Sequence, residues 1–537
     1  MQGLNQNYPL LLTTILSHAE ADFGEVPIVG RYGTETVRYD YRRAAARARR
    51  LASSLARLGM GTGSIVGSLA WNTHRHFELF YGVAGIGAVL HTANPRLAPD
   101  QIAYTIRLAG CQVLFCDPDT LSLVEQIAPQ LQVRVVVMTR ADTMPATSLR
   151  NVLCYENLID AGTADFTWPG LDERQACTLC FTSGTTGLPK GVLYSHRGTV
   201  LSAMSTGSGN GWGLSADDAI IAIAGLFHCN GWAVPFFGPM YGAKLVFPGR
   251  RANPEWLHEL IVDEGVTVAP GVPTIWLGIL DYCRRTGQKL GRLNRIYSGG
   301  TAPPADMIRT YLSEYGVRTI HGWGMTETTH GATISFASRN LPPDAAISAM
   351  RTQGKPLYGN EIRIVDEAGA ALPRDGNAVG HLQCRGHWVA GSYFLRPEVE
   401  IVSEDGWMRT GDMARIDPDN TLHIVDRAKD IVKSGGEWIS SQHLEEAAVS
   451  HPALREAAVI PVPHALWQER PLLVLVREPG SELTADAVRD HLRRLVPKWW
   501  LPESIVFVAE LPHGPTGKLD KQMLRTWMAE GKLPAAH

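Results

Sequence analysis

The stretch from Thr182 to Gly191 carries the densest set of potentially reactive groups in the chain. It contains four hydroxyl side chains, three glycines and Lys190, directly after the apolar run 177–181. Glycines let backbone N–H groups approach an anion closely, and hydroxyls and an ammonium group add further donors. This composition predicts a loop that binds a polyphosphate; a polar turn between a strand and a helix is the alternative. Because Gly191 stands where a P-loop carries Ser or Thr, a P-loop kinase or GTPase is disfavoured.

Two later segments combine glycines with groups that can contact a nucleotide. Tyr297–Pro304 contains adjacent glycines that would let the backbone lie close to a flat ligand, with a plain strand-ending turn as an equal alternative. In His321–Thr328, Trp323 stands between glycines and can lie against an adenine. Glu327 is an oxygen ligand suited to Mg²⁺, or else a carboxylate stabilised by a helix N-terminus. With a phosphate loop in the same chain, metal binding is the favoured interpretation.

The C-terminal part contributes isolated charged residues in turn-like contexts. Asp412, in a Thr-Gly-Asp sequence, could accept both hydroxyls of a ribose, although such a sequence is often only a turn. Arg427, Lys429 and Lys433 lie in or just after a charged break, which is usually a solvated linker. Lys518 lies on a Gly/Pro turn before the last helical segment, where a lysine has no packing role. It is therefore either idle or directed at a ligand.

Length, composition and net charge limit the classes of protein to which the chain can belong. The chain has 537 residues, 45% of them apolar and 19% charged, with a formal net charge of −3. At roughly 150 residues per domain it would form three or four folding units. It lacks the basic field that nucleic-acid binding requires. No apolar run approaches the roughly 20 residues of a membrane span, and no signal peptide or peroxisomal address is expected. The eight cysteines are dispersed, and Cys177 and Cys180 would point to opposite faces of a strand, so we expect reduced thiols in a cytoplasmic protein.

The order of apolar segments predicts the fold class. Short strands such as 64–69, 113–116 and 177–181 alternate with helical segments such as 41–58, 77–89 and 99–108, which is typical of parallel sheets covered by helices. From about Glu361, alternating segments between Gly, Pro and Asp turns predict a smaller antiparallel, barrel-like unit. A compact α/β segment follows the charged break and is long enough to be a mobile second domain.

Together these segments resemble the ANL superfamily of adenylate-forming enzymes, over nearly the whole chain and with five motifs in the family's order and spacing. Phe227–Trp232 and Lys433–Ser440 are similar to fatty-acyl-CoA synthetases, and bacterial medium-chain acyl-CoA ligases and 3-methylmercaptopropionyl-CoA ligases are the nearest types. The resemblance implies an α/β fold with a large N-terminal domain of two α/β subdomains plus a distorted β-barrel, and a small mobile α+β C-terminal domain. It places the adenylation domain at 1–426, a hinge at 427–432 and the C-terminal lid at 433–537.

The resemblance also implies the chemistry. A short- or medium-chain carboxylic acid, such as a fatty acid or a methylmercaptopropionate-like acid, would attack the α-phosphorus of ATP in the presence of Mg²⁺. The resulting acyl-AMP would react with coenzyme A to release AMP, which makes the protein an AMP-forming acid–thiol ligase of fatty acid metabolism. A homodimer would be compatible with the family.

Site residues follow from the same resemblance, position by position. The catalytic residues would be Lys518, Glu327, His228 and Lys433, and Mg²⁺ would lie near Thr182 and Glu327. The acyl pocket would be bordered by His228, Trp232, Gly299, Gly300, Gly324 and Met325. The nucleotide and CoA would be contacted by Thr182, Ser183, Gly184, Thr185, Thr186, Gly187, Lys190, Gly300, Thr301, Ala302, Gly322, Trp323, Thr326, Asp412, Arg427, Lys429 and Trp438. Within these sets, Lys518 would bridge the carboxylate and the α-phosphate, and Lys429 would be the hinge residue.

Other functions stay open at this point. An adenylating enzyme could use an acceptor other than CoA, and the acid could be branched or aromatic. A nucleotide-binding sensor without catalysis is a further alternative, which the joint presence of Lys518, Glu327 and Asp412 argues against. Bulk at Trp232 favours a short or medium acyl chain. Because burial of one methylene contributes only about 0.8 kcal/mol, small changes in the pocket could shift the accepted chain length.

Overall fold

The computed structural model describes residues 1, 3–33, 35–182, 188–335, 341–435, 437–514 and 519–534. The strands in chain order are β1 (Pro27–Tyr32), β2 (Glu35–Asp40), β3 (Ile65–Leu69), β4 (Val89–Ala93), β5 (Val113–Cys116), β6 (Arg134–Val137), β7 (Leu153–Cys154), β8 (Ala176–Phe181), β9 (Gly191–Ser195), β10 (Ala219–Ile221), β11 (Lys244–Phe247), β12 (Val268–Gly271), β13 (Arg295–Ser298), β14 (Arg318–Trp323), β15 (Thr333–Ile334), β16 (Lys355–Pro356), β17 (Asn360–Val365), β18 (Gly380–Gly386), β19 (Met408–Ile416), β20 (Leu422–Arg427), β21 (Val432–Ser434), β22 (Glu437–Ile439), β23 (Leu454–His464), β24 (Gln468–Arg477) and β25 (Ser504–Phe507).

The helices in chain order are α1 (Leu12–Asp22), α2 (Tyr41–Arg57), α3 (His74–Ala84), α4 (Pro99–Ala109), α5 (Leu121–Ile127), α6 (Tyr155–Ala161), α7 (His196–Gly207), α8 (Cys229–Trp232), α9 (Val234–Met240), α10 (Pro254–Asp263), α11 (Pro273–Thr286), α12 (Ala305–Tyr315), α13 (Pro343–Arg351), α14 (Ser441–Val449), α15 (Ala485–Leu492) and α16 (Lys521–Ala529). Single 3₁₀ turns lie at Pro118–Thr120, Ala128–Gln130, Ala141–Thr143, Thr326–Thr328 and Lys498–Trp500. Of these elements, α8 has positive φ angles and is a left-handed turn.

The described residues fall into two compact units, and the first contains Met1–Thr182, Leu188–Glu361 and Cys384–Met408. It has a nine-stranded sheet in the order β16-β15-β14-β13-β12-β10-β11-β1-β2 and a seven-stranded sheet in the order β7-β6-β5-β3-β4-β8-β9. The central pairs of both sheets are parallel, and antiparallel pairs such as β1/β2 and β8/β9 lie at the edges. The predicted pair of α/β subdomains is confirmed.

Both sheets of the first unit share one hydrophobic core. Fully buried Phe115 from the seven-stranded sheet and Phe247 from the nine-stranded sheet belong to the same cluster, together with Phe77 and Phe80 of α3. Helix α2 joins this core because its alanines repeat at helical spacing, and its N-terminus is capped by Asp40, which accepts a 2.8 Å hydrogen bond from the backbone N–H of Arg43.

The second unit contains Ile362–Gln383 and the described residues from Arg409 onward. Strands β17-β18-β19-β20 form a four-stranded sheet where the sequence predicted a barrel-like unit. A second sheet has the order β22-β21-β24-β23, with β25 parallel to β24, and α14 and α15 pack on it over Leu444 and Val488. Both sides of the predicted hinge at 427–432 belong to this unit, and the domain boundary itself stays a prediction.

One predicted helix was too long. The sequence predicted a helix over 77–89, but α3 ends at Ala84 and Val89 begins β4, which pairs with β3. Gly85 and Gly87 separate the two elements, and the φ angle of Gly87 is +77°. A β-carbon there would lie 2.6 Å from the Thr62 hydroxyl, so the turn requires glycine for both reasons.

All eight cysteines are buried and free of disulfides. Among the described residues, no helix is both long and apolar enough to cross a bilayer.

Candidate active site

The predicted phosphate loop connects two antiparallel strands. Strands β8 and β9 pair with Phe181 opposite Gly191, so the loop is a hairpin connection and not the strand-to-helix turn considered as its alternative. At its base the backbone N–H of Thr182 donates to the Lys190 carbonyl over 2.8 Å, and the Lys190 N–H donates to Thr182 Oγ1 over 3.2 Å. Thr182 and Lys190 are therefore held side by side. Ser183, Gly184, Thr185, Thr186 and Gly187 lie outside the described residues.

Glu327 lies in a 3₁₀ turn that is anchored on several sides. Its carboxylate is almost fully buried, with 5% of the residue exposed. The Tyr194 hydroxyl, from β9, donates to the Thr326 carbonyl over 2.6 Å, and the Ala390 N–H donates to the Glu327 carbonyl over 2.7 Å. These contacts hold the backbone of the turn, one of them from the strand that follows the phosphate loop. They thereby fix the position from which the Glu327 side chain projects.

Tyr393 links the carboxylate to the lysine of the loop. The Tyr393 hydroxyl donates to Glu327 Oε1 over 2.5 Å, and Lys190 Nζ lies 5.0 Å from the centre of the Tyr393 ring. Burial, and then the neighbouring Glu327 charge, raise the pKa of Tyr393, so its hydroxyl stays protonated and can donate. The three side chains form a continuous chain from ammonium to ring to carboxylate.

Within the part of the chain that the structure describes, the charge of Glu327 has no direct cationic partner. Among the described residues, no lysine, arginine or histidine makes an ion pair with it, and Tyr393 is the donor to its side chain. A buried carboxylate that is not paired ordinarily requires a cation or further donors. The described part of the chain contains no group of three His, Cys, Asp or Glu residues suited to a metal. A single carboxylate that shares its ion with phosphate oxygens is the arrangement that Mg²⁺ commonly adopts.

The predicted acyl pocket residue Gly299 faces an aromatic wall. A β-carbon at Gly299 would lie 3.2 Å from atoms of both Trp232 and Tyr297. The Trp232 and Tyr297 rings are 5.6 Å apart edge to face, and Tyr297 stacks on Trp212 at 4.7 Å. Glycine at 299 thus lets the indole of Trp232 lie directly against the backbone.

Packing also accounts for Gly322. A β-carbon there would lie 2.5 Å from Tyr297 Oη and 2.6 Å from the Thr333 carbonyl, so the glycine is required by the fold itself. The next residue, Trp323, is 8% exposed at the end of β14. Gly324 is exposed, Met325 is half-buried, and Thr326 is buried beside Cys229, whose sulfur lies 3.5 Å from Thr326 Oγ1.

His321 joins the ends of β13 and β14 next to the second glycine segment. Its Nδ1 donates to the Ser298 carbonyl over 2.7 Å, and its Nε2 is 3.3 Å from the Gln353 amide nitrogen, which donates to it. Burial lowers the pKa of His321 to about 4, so the ring is neutral and keeps this tautomer. It fixes the backbone just before Gly300, Thr301 and Ala302, of which Gly300 has a φ angle of +89°.

The second unit holds the predicted ribose ligand. Asp412 is 2% exposed and lies on β19 directly opposite Arg427 of β20. Arg427 Nε lies 2.9 Å from Asp412 Oδ1. The sequence had left open that Asp412 is only a turn residue, and its place inside a strand excludes that alternative. The carboxylate is instead oriented by a cross-strand arginine.

Three further predicted site residues belong to the second unit and follow Asp412 and Arg427 in the sequence. Lys433 and Trp438 are opposite each other in the β21/β22 hairpin, and Lys433 Nζ lies 3.4 Å from Glu367. Lys429 precedes this hairpin, and its carbonyl accepts a 3.1 Å hydrogen bond from Arg525 of α16. Lys518 lies outside the described residues.

Several residues that the sequence did not single out support the site. Tyr393, Tyr194 and His321 act through contacts with residues distant in the chain, and no local pattern predicts such contacts. Asn230 is different, because Asn-Gly is a dipeptide typical of positive φ angles and marks the turn after His228.

Comparisons with known proteins match nearly the whole chain. Residues 17–394 match the family of AMP-binding enzymes, and residues 443–518 match the C-terminal domain of AMP-binding enzymes. The chain is 44% identical over 531 residues to a 3-methylmercaptopropionyl-CoA ligase of Ruegeria lacuscaerulensis, covering 98% of both chains. It is 42% identical to a medium-chain-fatty-acid–CoA ligase of Ectopseudomonas oleovorans, covering 98% of this chain and 97% of that one.

Solved structures share the fold. An anthranilate CoA ligase in complex with anthranoyl-AMP superposes with a TM-score of 0.86 at 26% identity, covering 98% of this chain and 99% of that chain. ATP-bound MatB from Rhodopseudomonas palustris gives a TM-score of 0.83 at 24% identity, over 97% of this chain and 99% of that one.

Proposed function

Because the chain belongs to the AMP-binding enzyme family, within the ANL superfamily of adenylate-forming enzymes, we propose that it joins a short- or medium-chain carboxylic acid to coenzyme A at the expense of ATP. The reaction has two steps. The acid first displaces pyrophosphate to form an acyl-AMP, and the thiol of CoA then displaces AMP to form the thioester.

The names of the relatives delimit the acid. One relative is named for 3-methylmercaptopropionate and another for medium-chain fatty acids, at nearly equal identity of 44% and 42%. Both acids have an unbranched, mostly apolar tail, which suits the aromatic wall formed by Trp232, Tyr297 and Trp212. We therefore propose an unbranched aliphatic or thioether acid over an aryl acid.

The observation that carries the proposal is the buried carboxylate of Glu327 without a cationic partner among the described residues. It is oriented by Tyr393, whose ring also lies 5.0 Å from Lys190 Nζ at the base of the phosphate loop. The cost of burying an unpaired carboxylate beside the predicted phosphate loop is offset when a cation binds together with the ligand. Glu327 and the Thr182 hydroxyl fit Mg²⁺ as oxygen donors. When bound, Mg²⁺ would neutralise charge on the phosphates.

In the first step the protein has to bring two anions together. Lys190 and the loop residues Thr182–Gly187 would hold the β- and γ-phosphates, and Lys518 would neutralise the charge where the carboxylate meets the α-phosphate. Asp412, oriented by Arg427, would accept the ribose hydroxyls. Such groups accelerate a reaction when they are fixed in place before the charge develops.

In the second step the same chain has to admit a thiol. We propose that residues 433–537 pivot at Lys429, within the hinge 427–432, so that Lys518 leaves and the β21/β22 hairpin with Lys433 and Trp438 approaches the CoA path. Gly435, in that hairpin, has a φ angle of +61°, and its N–H donates to the Trp467 carbonyl over 2.9 Å. The backbone conformation of this hairpin at Gly435 is therefore set by contacts within the protein and needs no ligand.

The proposal also covers the cellular location and the oligomeric state of the protein. All eight cysteines are buried and none of them forms a disulfide, which supports a reducing compartment, for which we propose the cytoplasm. A homodimer stays a prediction.

The test is a screen of pyrophosphate release with purified protein, ATP and Mg²⁺, using straight-chain acids of two to twelve carbons, 3-methylmercaptopropionate and benzoate. The proposal expects release with the short and medium aliphatic acids, and AMP and acyl-CoA as products only when CoA is present. Glu327→Gln should abolish release, whereas the exposed Glu398→Gln should not. Release of ADP or phosphate, or thioester formation without pyrophosphate, would contradict it.

A further inference from the structure

The backbone directly after His228 winds in the left-handed direction for five residues. The φ angles are 39° for Cys229, 38° for Asn230, 60° for Gly231, 53° for Trp232 and 68° for Ala233. Apart from the glycine, these residues carry a β-carbon that clashes with the following carbonyl in this conformation. Left-handed residues normally occur singly, so a run of this length persists only where its surroundings hold it.

Asn230 connects this turn to the seven-stranded sheet. Its side chain is fully buried, and its Oδ1 accepts a 2.7 Å hydrogen bond from the hydroxyl of Thr178 on β8. Its Nδ2 lies 3.4 Å from the hydroxyl of Thr92, on the neighbouring strand β4. Asparagine tolerates positive φ better than other residues with a β-carbon. Asn230 therefore tolerates the left-handed backbone conformation and also holds it in place through its side-chain hydrogen bonds.

Neighbouring groups fasten the start of the turn. The Cys229 sulfur lies 3.5 Å from Thr326 Oγ1, next to Glu327, and the Gly231 N–H donates to the His228 carbonyl over 3.0 Å. Burial raises the pKa of the Cys180 thiol, while the Thr92 hydroxyl and the backbone N–H of Asn230 oppose that rise. Cys180 therefore stays a neutral thiol in contact with the turn.

The turn decides where Trp232 lies. Its indole packs against the Gly299 backbone, where a β-carbon would come within 3.2 Å, and edge-on to Tyr297. An ordinary right-handed or extended backbone over 229–233 would point the Trp232 side chain in another direction. Its position over Gly299 therefore depends on a strained conformation that Asn230 holds.

We propose that Asn230 is a positioning residue that sets the acyl-chain length accepted by this protein, because it holds the left-handed turn that places Trp232 against Gly299. This rests on the proposed function. Asn230 does not touch the acid. It acts through Trp232, which closes the pocket to straight aliphatic acids with long tails while the turn is intact. When the turn relaxes, the indole leaves Gly299 and longer acids enter.

The experiment compares kcat/KM for hexadecanoate, a long-chain acid, with kcat/KM for octanoate, a medium-chain acid that the protein is proposed to use, in the wild type and in variants. Asn230→Ala should raise the hexadecanoate-to-octanoate ratio about tenfold or more, since it removes both hydrogen bonds and disfavours the left-handed backbone. Asn230→Gly keeps the backbone accessible and should shift the ratio less. Thr178→Val removes one hydrogen bond at nearly constant volume and should shift it in the same direction. The exposed Asn253→Ala should leave the ratio unchanged.

A double-mutant comparison separates positioning from general damage. In a Trp232→Ala background, Asn230→Ala should change the ratio less than about twofold, against about tenfold with Trp232 present, because the indole through which Asn230 acts is gone. An equal loss for both acids in every Asn230 and Thr178 variant, or an undiminished shift without Trp232, would overturn the proposal. The milder Asn230→Gly and Thr178→Val variants decide the matter if Asn230→Ala does not fold. A wild type that releases no pyrophosphate with any acid would overturn the proposed function, and this inference with it.

Discussion

The hydroxyl of Tyr393 donates a 2.5 Å hydrogen bond to the buried carboxylate of Glu327. These residues are 66 positions apart in the chain, and the tyrosine ring also faces Lys190 Nζ at 5.0 Å. One phenol thus orients the carboxylate and borders the cation of the phosphate loop. The proposed magnesium site depends on this link.

Tyr393→Phe should weaken the use of Mg²⁺ while the fold stays intact. It removes a hydrogen bond to a charged group, which is worth about 1.5–3 kcal/mol, so kcat/KM for adenylate formation should fall about 10- to 100-fold. The apparent KM for Mg²⁺ should rise, as measured by pyrophosphate release over a magnesium titration. Tyr358, which is fully exposed, provides the control, and Tyr358→Phe should match the wild type. An unchanged magnesium dependence in Tyr393→Phe would refute the link.

Lys518→Ala should separate the two half-reactions. Loss of a cation placed where charge develops typically costs factors of about 10²–10³, so adenylate formation should fall at least that far. Thioester formation from supplied acyl-AMP should stay near the wild-type rate. Lys532→Ala is the matched control, because Lys532 is exposed and pairs with the neighbouring Glu530 at 2.6 Å. Equal losses in both half-reactions would assign Lys518 another role.

Lys429→Pro should impair the second step more than the first. Proline fixes the φ angle of a residue proposed to change conformation between the steps. Arg525 of α16 donates to the Lys429 carbonyl and pairs with Asp430, so a rotation there would be transmitted to the helix that follows Lys518. Single-turnover assays of each half-reaction measure the effect. Normal turnover of CoA by the proline variant would exclude a hinge at this residue, and Lys429→Ala provides the control for loss of the side chain.

Mild acid should destabilise the folded protein through its buried histidines. Burial lowers the pKa values of four histidines to about 4 and of a fifth to about 3, namely His76, His91, His196, His321 and His330. Between about pH 6.5 and pH 4 the unfolded chain binds protons at these sites and the folded chain does not, so the free energy of unfolding falls as the pH falls. Each group contributes a slope of about 1.4 kcal/mol per pH unit inside this window.

His91→Leu isolates one of these groups. His91 Nδ1 lies 3.3 Å from the Leu179 carbonyl, and its Nε2 is buried without a partner in the described structure. The variant should unfold in urea with a pH dependence that is shallower by roughly one proton between pH 6 and pH 4.5. The same slope in His91→Leu and wild type would show that this histidine is protonated in the folded state.

Much of the fold follows from local patterns in the sequence. The strand at 113–116 was predicted to the residue and agrees with β5, because a short apolar run between turn residues is typical of a buried strand. Helix α2 follows from its alanine-rich periodicity. Strand β19 was missed, since Thr410, Gly411 and Asp412 look like a turn until the partner strand with Arg427 is known.

The candidate site also contains some residues that the sequence predicts and others that it does not. Family motifs lead to Thr182, Lys190 and Glu327, which the structure brings together through Tyr393. They do not lead to Tyr393 itself, because the contact joins segments far apart in the chain and no periodicity precedes it. Nor do they explain Trp232, whose place depends on a left-handed backbone that only the surrounding hydrogen bonds of Asn230 reveal.

The most direct test of the account is a quenched single-turnover reaction of the wild-type protein with ATP, Mg²⁺ and radiolabelled octanoate, first without and then with CoA. Without CoA, octanoyl-AMP and pyrophosphate should accumulate in equal amounts, up to one per protein chain. Addition of CoA should convert the adenylate to octanoyl-CoA and AMP without further consumption of ATP. Formation of ADP, or octanoyl-CoA that appears with no preceding adenylate, would contradict the account.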